Sequence, residues 1–142
     1  MDHVHLIKLS VGSENVDGLA DWQARHRANW PDGLPRHVTR MWPRREKELL
    51  GDGSIYWVIG GFICCRQKIL RLDEARGEDG IRRCALVLDP ELIRTAQAIR
   101  RPFQGWRYLA PQDAPPDLAK TRENEAVLPV ALAGALSDIG LI

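Results

Sequence analysis

The sequence predicts an α+β domain, built as a highly curved antiparallel sheet or a small barrel with flanking helices. Three observations lead there. Apolar runs at 55–59 and 62–72 meet at Gly60-Gly61, a pair able to take the positive φ angles of a tight hairpin turn. A third strand-like run, IRRCALVL at 81–88, follows the polar loop EARGEDG. Helical patterns lie ahead of this meander and behind it. With 142 residues, 44% of them hydrophobic, the chain suffices for one core, so a single domain spanning 1–142 is expected.

His3 to Ser10 reads as a strand with Val4 and Leu6 on one face and Ile7 and Leu9 on the other, hence covered on both sides and central. Ser13 or Asn15 can cap the helix VDGLADWQARHRAN, in which Val16, Leu19, Ala20 and Gln23 gather near one face. Trp30-Pro31-Asp32-Gly33 is a turn. His37 to Met41 forms a short strand, and Pro43 suits the first turn of a helix over RREKELL that closes at Gly51. Asp89-Pro90, a cap followed by proline, predicts a short helix through about Ala96. QGWRYL supplies another strand, Pro111, Pro115 and Pro116 an extended loop, and Pro129 to Asp138 a closing helix ended by Gly140.

The segment FICCRQKILRL presents a conflict. Strict alternation puts Phe62, Cys64, Arg66, Lys68, Leu70 and Leu72 on one face and Ile63, Cys65, Gln67, Ile69 and Arg71 on the other, so neither face is clean. About eleven residues at roughly 3.3 Å each also exceed what a small core needs, so the strand must bend, coil or protrude. A bulge near Arg66 switches the phase, and a strand passing a barrel mouth carries polar groups there.

The net charge of +1 conceals asymmetry. Six arginines between Trp22 and Arg45 face one acid, Asp32, and four between Leu92 and Gln112 face none, whereas acids prevail after Leu109. Clustered arginines fit an anionic partner, because the guanidinium fork matches phosphate geometry. No continuous apolar run approaches the roughly 20 residues that cross a bilayer. The opening MDHVHLIKLSVG has neither a basic leader nor an apolar core of signal-peptide length, so a cytoplasmic location without membrane contact is expected.

The segments HLIKLSVG, TRMWPRREKELL, GSIYWVIGGFICCRQKIL, RRCALVLDPEL and RRPFQGWRYLAPQDAPPDL resemble, in order and nearly end to end, a family of small bacterial proteins of unknown function. In architecture, RREKELLGDGSIYWVI also resembles the PUA-like superfamily with its ASCH-type members, which implies a small barrel and association with RNA or modified nucleotides.

Most catalytic chemistries lack their residues. His3, His5, Cys64, Cys65 and Cys84 offer no CxxC pair and no second histidine pair, so no metal is expected. The three cysteines, an odd number in apolar strands, read as reduced, buried thiols. There is no GxSxG elbow, no phosphate-binding glycine loop and no carboxylate pair in a core strand; no cofactor is expected. Aromatic and basic residues flanking strands remain: Thr39, Arg40, Trp42 and Arg44; Tyr56 and Trp57; Gln104, Trp106, Arg107 and Tyr108. With Trp57 assigned to the core, the candidate ligand or nucleic-acid site is Arg40, Trp42, Arg44, Arg66, Gln67, Gln104, Trp106 and Arg107, since a base stacks on an aromatic plane while arginines hold phosphates. The expected function is an RNA- or nucleotide-binding module. The alternatives are an enzyme handling a nucleotide or other anionic metabolite with Arg66, Gln67 and Arg107 at a barrel mouth, and a protein-interaction module using the proline-rich segment 111–116.

Overall fold

In a computed structural model, residues 3–30, 32–101 and 103–118 are described. Strands β1 (His5–Leu9), β2 (Arg36–Thr39), β3 (Ser54–Ile59), β4 (Phe62–Arg76), β5 (Arg82–Leu88), β6 (Ile93–Ile99) and β7 (Trp106–Leu109) accompany helices α1 (Val16–His26) and α2 (Glu46–Asp52). They form one seven-stranded sheet in the order β2-β5-β4-β3-β1-β7, with β6 also on β4. The sheet does not close. It is mixed, because β1 pairs parallel to β3 while the other pairs are antiparallel. The meander expected from the turn glycines is present: Gly60 and Gly61 adopt φ of 62° and 89°, and β3, β4 and β5 pair in succession.

β4 organises the sheet and resolves its own conflicting pattern through two bulges. Trp57 faces Cys65 and Val58 faces Ile63, which leaves Cys64 as an extra residue. Ile69 faces Leu88 and Arg71 faces Val87, which leaves Leu70 extra. Each extra residue reverses the alternation. Ile63 thereby packs with Ile7, Tyr56 and Val58, whereas Cys65 and Ile69, and beyond the second bulge Leu72, pack with Leu6, Trp57 and Leu86. Neighbouring backbone groups point to opposite edges: the Ile69 N–H donates to Gly53 O (3.1 Å) and Lys68 O accepts from the Asp89 N–H (2.9 Å). β3 therefore occupies one edge of β4, and β5 followed by β6 occupies the other.

That edge decides residues 93–99. Asp89 does start a turn, its side chain accepting the Glu91 N–H at 2.9 Å. The helix expected through Ala96 is nevertheless absent, and β6 pairs Ile93 with Arg66 and Ile99 with Phe62. An open row of backbone donors and acceptors beside β4 outweighs a local capping preference. The helix over RREKELL begins at Glu46, two residues beyond the Pro43-Arg44 start expected for it, and continues through Gly51 to a cap at Gly53. The expected helix at 129–138 lies outside the described residues.

α1 begins where Asn15 accepts the Gly18 N–H (2.7 Å), and it lays Val16, Leu19 and Gln23 against the sheet. The principal core lies between this face of the sheet and the two helices, with Leu6, Leu49, Ile55, Trp57 and Leu88 among its members. The sheet curls strongly around it. β2 and β3 stand three strands apart, about 14 Å along a flat sheet at 4.8 Å per strand, yet the rings of His37 and Trp57 are 6.0 Å apart in an edge-to-face contact. Among the described residues no helix is long and apolar enough to cross a membrane.

Candidate anion-binding pocket

The curl brings β1 and β2 to opposite sides of a pocket of about 240 Å³, with α1 as its third wall. Lys8 comes from the end of β1, at the position that continues the inward series Val4, Leu6. Arg36 and His37 come from β2, Trp57 forms part of the floor, and Ser10, Ser13 and Trp22 stand around it. Among the described residues, three basic residues line the cavity and no acid does.

The electrostatics of the three basic groups follow from their burial. Desolvation lowers the Lys8 ammonium below its ordinary value, and its hydrogen bond to Leu9 O is long at 3.4 Å. Burial first, and then the charge of Lys8, bring His37 down to about 4, so its ring is neutral at pH 7. Arg36 is held at its tip by Asp32, which also binds Arg71 and lies well below the usual carboxylate range because of those hydrogen bonds. The Nε of Arg36 is buried without a hydrogen-bond partner. A buried unpaired donor costs about 1–3 kcal/mol.

In two other cavities an arginine of the lining is paired with an acid. One, about 400 Å³ on the opposite flank of α1, carries Arg94 bound to Asp17 at 2.6 Å. The other, at His3, His5, Tyr56 and Arg66, carries a two-bond pair of Arg66 with Asp117 (2.8 and 2.7 Å), and Arg66 also donates to Ser54 Oγ. His5 accepts the Ser54 N–H on Nδ1 (2.9 Å), and burial brings this histidine to about 4.

The residues singled out from the sequence do not converge on one surface. Gln67 is fully buried in the core and uses its whole hydrogen-bonding capacity: Oε1 accepts from Gln23 and Trp57 Nε1, and Nε2 donates to Gln23 and to Asp89 O, all at 2.9–3.0 Å. Trp106 is 6% exposed and donates to Met41 O (2.9 Å). Trp42 is half-buried beneath the Arg82 guanidinium, 4.1 Å from its ring centre. Arg40, Arg44, Gln104 and Arg107 are exposed, with Arg107 over the Phe103 ring. The 41–45 loop and β7 do meet, since the backbone N–H groups of Arg44 and Arg45 both donate to Tyr108 Oη. The cysteines are unpaired, with Cys65 and Cys84 buried and Cys64 partly so. Among the described residues no group of three or more metal-ligating side chains assembles.

A family model described as protein of unknown function (DUF1489) matches residues 6–142. The chain belongs to this family. No curated protein and no solved structure matches it. This DUF1489 fold presents its chemistry through the residues themselves, and one of its cavities is lined, among the described residues, by Lys8, Arg36 and His37 without an acid. Sequence reasoning overlooked all three. The available signal was Lys8, a cation in phase with the inward Val4 and Leu6 of an otherwise apolar strand.

Proposed function

We propose that this DUF1489 protein is a binding module for a nucleotide-like or other small anion, seated in the pocket between β1, β2 and α1. The supporting observation is the desolvated Lys8 ammonium, whose hydrogen bond to Leu9 O is long at 3.4 Å, in a cavity lined, among the described residues, by basic groups and no acid. Trp22, 43% exposed and stacked on the His26 ring at 4.1 Å, stands in the lining and extends an aromatic surface that a base or other flat body can join. A small ligand suits the volume better than an RNA strand, and the buried Trp106 has no open face for a base.

Titration with sulfate, GMP, cyclic GMP and, as a neutral control, guanosine tests the reading, followed by tryptophan fluorescence at low salt. The anions are expected to bind and to outcompete guanosine. Lys8→Ala should weaken them about tenfold, as expected for one charge-assisted contact of about 1.4 kcal/mol, and Arg36→Lys should do likewise. Failure of every anion to bind, or unchanged affinity in both folded variants, refutes the proposal.

A further inference from the structure

We infer that the pocket takes up its anion together with a proton, which settles on the ring of His37. The inference rests on the anion-binding reading and adds a regulation to it. His37 stands in the wall of the cavity, its ring edge-on to Trp57 at 6.0 Å, and no hydrogen bond to either ring nitrogen is present among the described residues. Among the described residues, the lining around it contains no countercharge. Lys8 faces it from β1, and Arg36 precedes it on β2; Leu19, Trp22 and Gln23 come from α1, Trp57 from β3 and Leu88 from β5. Asp32, bound by Arg36 and Arg71, lies outside the lining.

Without an anion the imidazolium is opposed first by lost solvation and then by Lys8, which together hold His37 at about 4. An anion reverses both influences. It supplies an acceptor for a ring N–H and a negative charge among cations, and such a partner at about 4–6 Å raises a pKa by roughly 1–3 units. His37 in the complex then titrates near ~6. The sign follows by linkage: the bound state holds the proton more tightly, so affinity is flat above the bound-state value, rises as pH falls through it, and levels off below about 4. Between pH 7 and pH 5 this amounts to a gain of about tenfold.

Sulfate and cyclic GMP are suitable probes because each keeps a constant anionic charge over this range. Isothermal titration calorimetry at pH 5, 6 and 7, in buffers of contrasting ionisation enthalpy, measures protons taken up per sulfate bound. Uptake should approach one at pH 5, with affinity about tenfold higher than at pH 7. His37→Asn should bind sulfate with neither uptake nor pH dependence. The His37 ring resonances of the unsubstituted protein, titrated by NMR with and without saturating cyclic GMP, should move from about 4 towards ~6, a readout that does not depend on the variant folding. Binding without proton uptake, or uptake that persists in His37→Asn, overturns the coupling and leaves the anion-binding reading intact. Absence of binding at every pH overturns both.

Discussion

Replacing Gln67 with leucine retains the side-chain volume and removes four hydrogen bonds from a fully buried position. The partners left behind are the Trp57 Nε1–H, the Asp89 carbonyl and the amide of Gln23. Each orphaned group costs about 1–3 kcal/mol when water cannot replace the lost partner. Gln23 borders both cavities beside α1 and can be rehydrated there, so its share is small. The other two leave a net loss near ~3 kcal/mol after the apolar gain of leucine, equivalent to about 10 °C in melting temperature for a domain of this size. Urea unfolding followed by circular dichroism reads the loss as a lower midpoint at unchanged slope. The double variant Gln23→Leu, Gln67→Leu removes one amide that the single variant orphans, so the two changes should be non-additive by about 1–2 kcal/mol. A loss below ~1 kcal/mol in the single variant, or strict additivity, would refute the assignment of Gln67 as the polar anchor of α1 on the sheet.

Stability should fall as pH drops from 7 to 5. His5 and His37 titrate near 4 in the fold and near ~6.5 unfolded, so the unfolded chain binds the extra protons and the loss is on the order of 2 kcal/mol per histidine; a flat stability profile over this range rules it out. Gly53→Ala should destabilise by about 3 kcal/mol or more, because a Cβ there overlaps the carbonyl oxygens of Leu49 and Val4; a chemical melt within ~0.5 kcal/mol of the parent contradicts the close approach. Burial pushes the Cys65 and Cys84 thiols up to about 12 and 11. At pH 8 a thiol reagent should therefore react slowly with Cys64 alone until the protein unfolds, and three fast-reacting thiols speak against this packing.

What was legible in the sequence was local. Gly60-Gly61 encodes its turn through positive φ angles, and the apolar runs on either side have one short way to pair. The two-residue period exposed the conflict in β4 and therefore the need for a bulge, although not its position at Cys64 nor the second one at Leu70. The parallel partner of β1 was not legible, because the β1–β3 register depends on a crossover whose geometry no single segment carries. β6 was misread since Asp-Pro is a good local helix start, while the edge it fills is set by the distant strand β4. At the site, adjacency misled: Trp106 and Arg107 are neighbours in sequence, but the pleat sends one into the core and the other to solvent. The pocket itself unites Lys8 with His37 through curvature of the whole sheet, a property absent from any window of residues.

The parallel pairing of β1 also dictates an order of assembly. The β3–β4 turn closes over two residues, and such hairpins form in about 1–10 μs. Leu6, by contrast, meets Ile55 only after 49 intervening steps of chain, and His5 meets Leu109 after 104. Loop closure on that scale must be met before its contacts return any free energy. The β3–β4–β5 meander is thus the expected nucleus, and β1 with β7 docks late. Truncations in β1, such as Leu6→Ala, should then accelerate unfolding while leaving the folding rate nearly unchanged, whereas truncations at Val58 or Ile63 should slow folding itself.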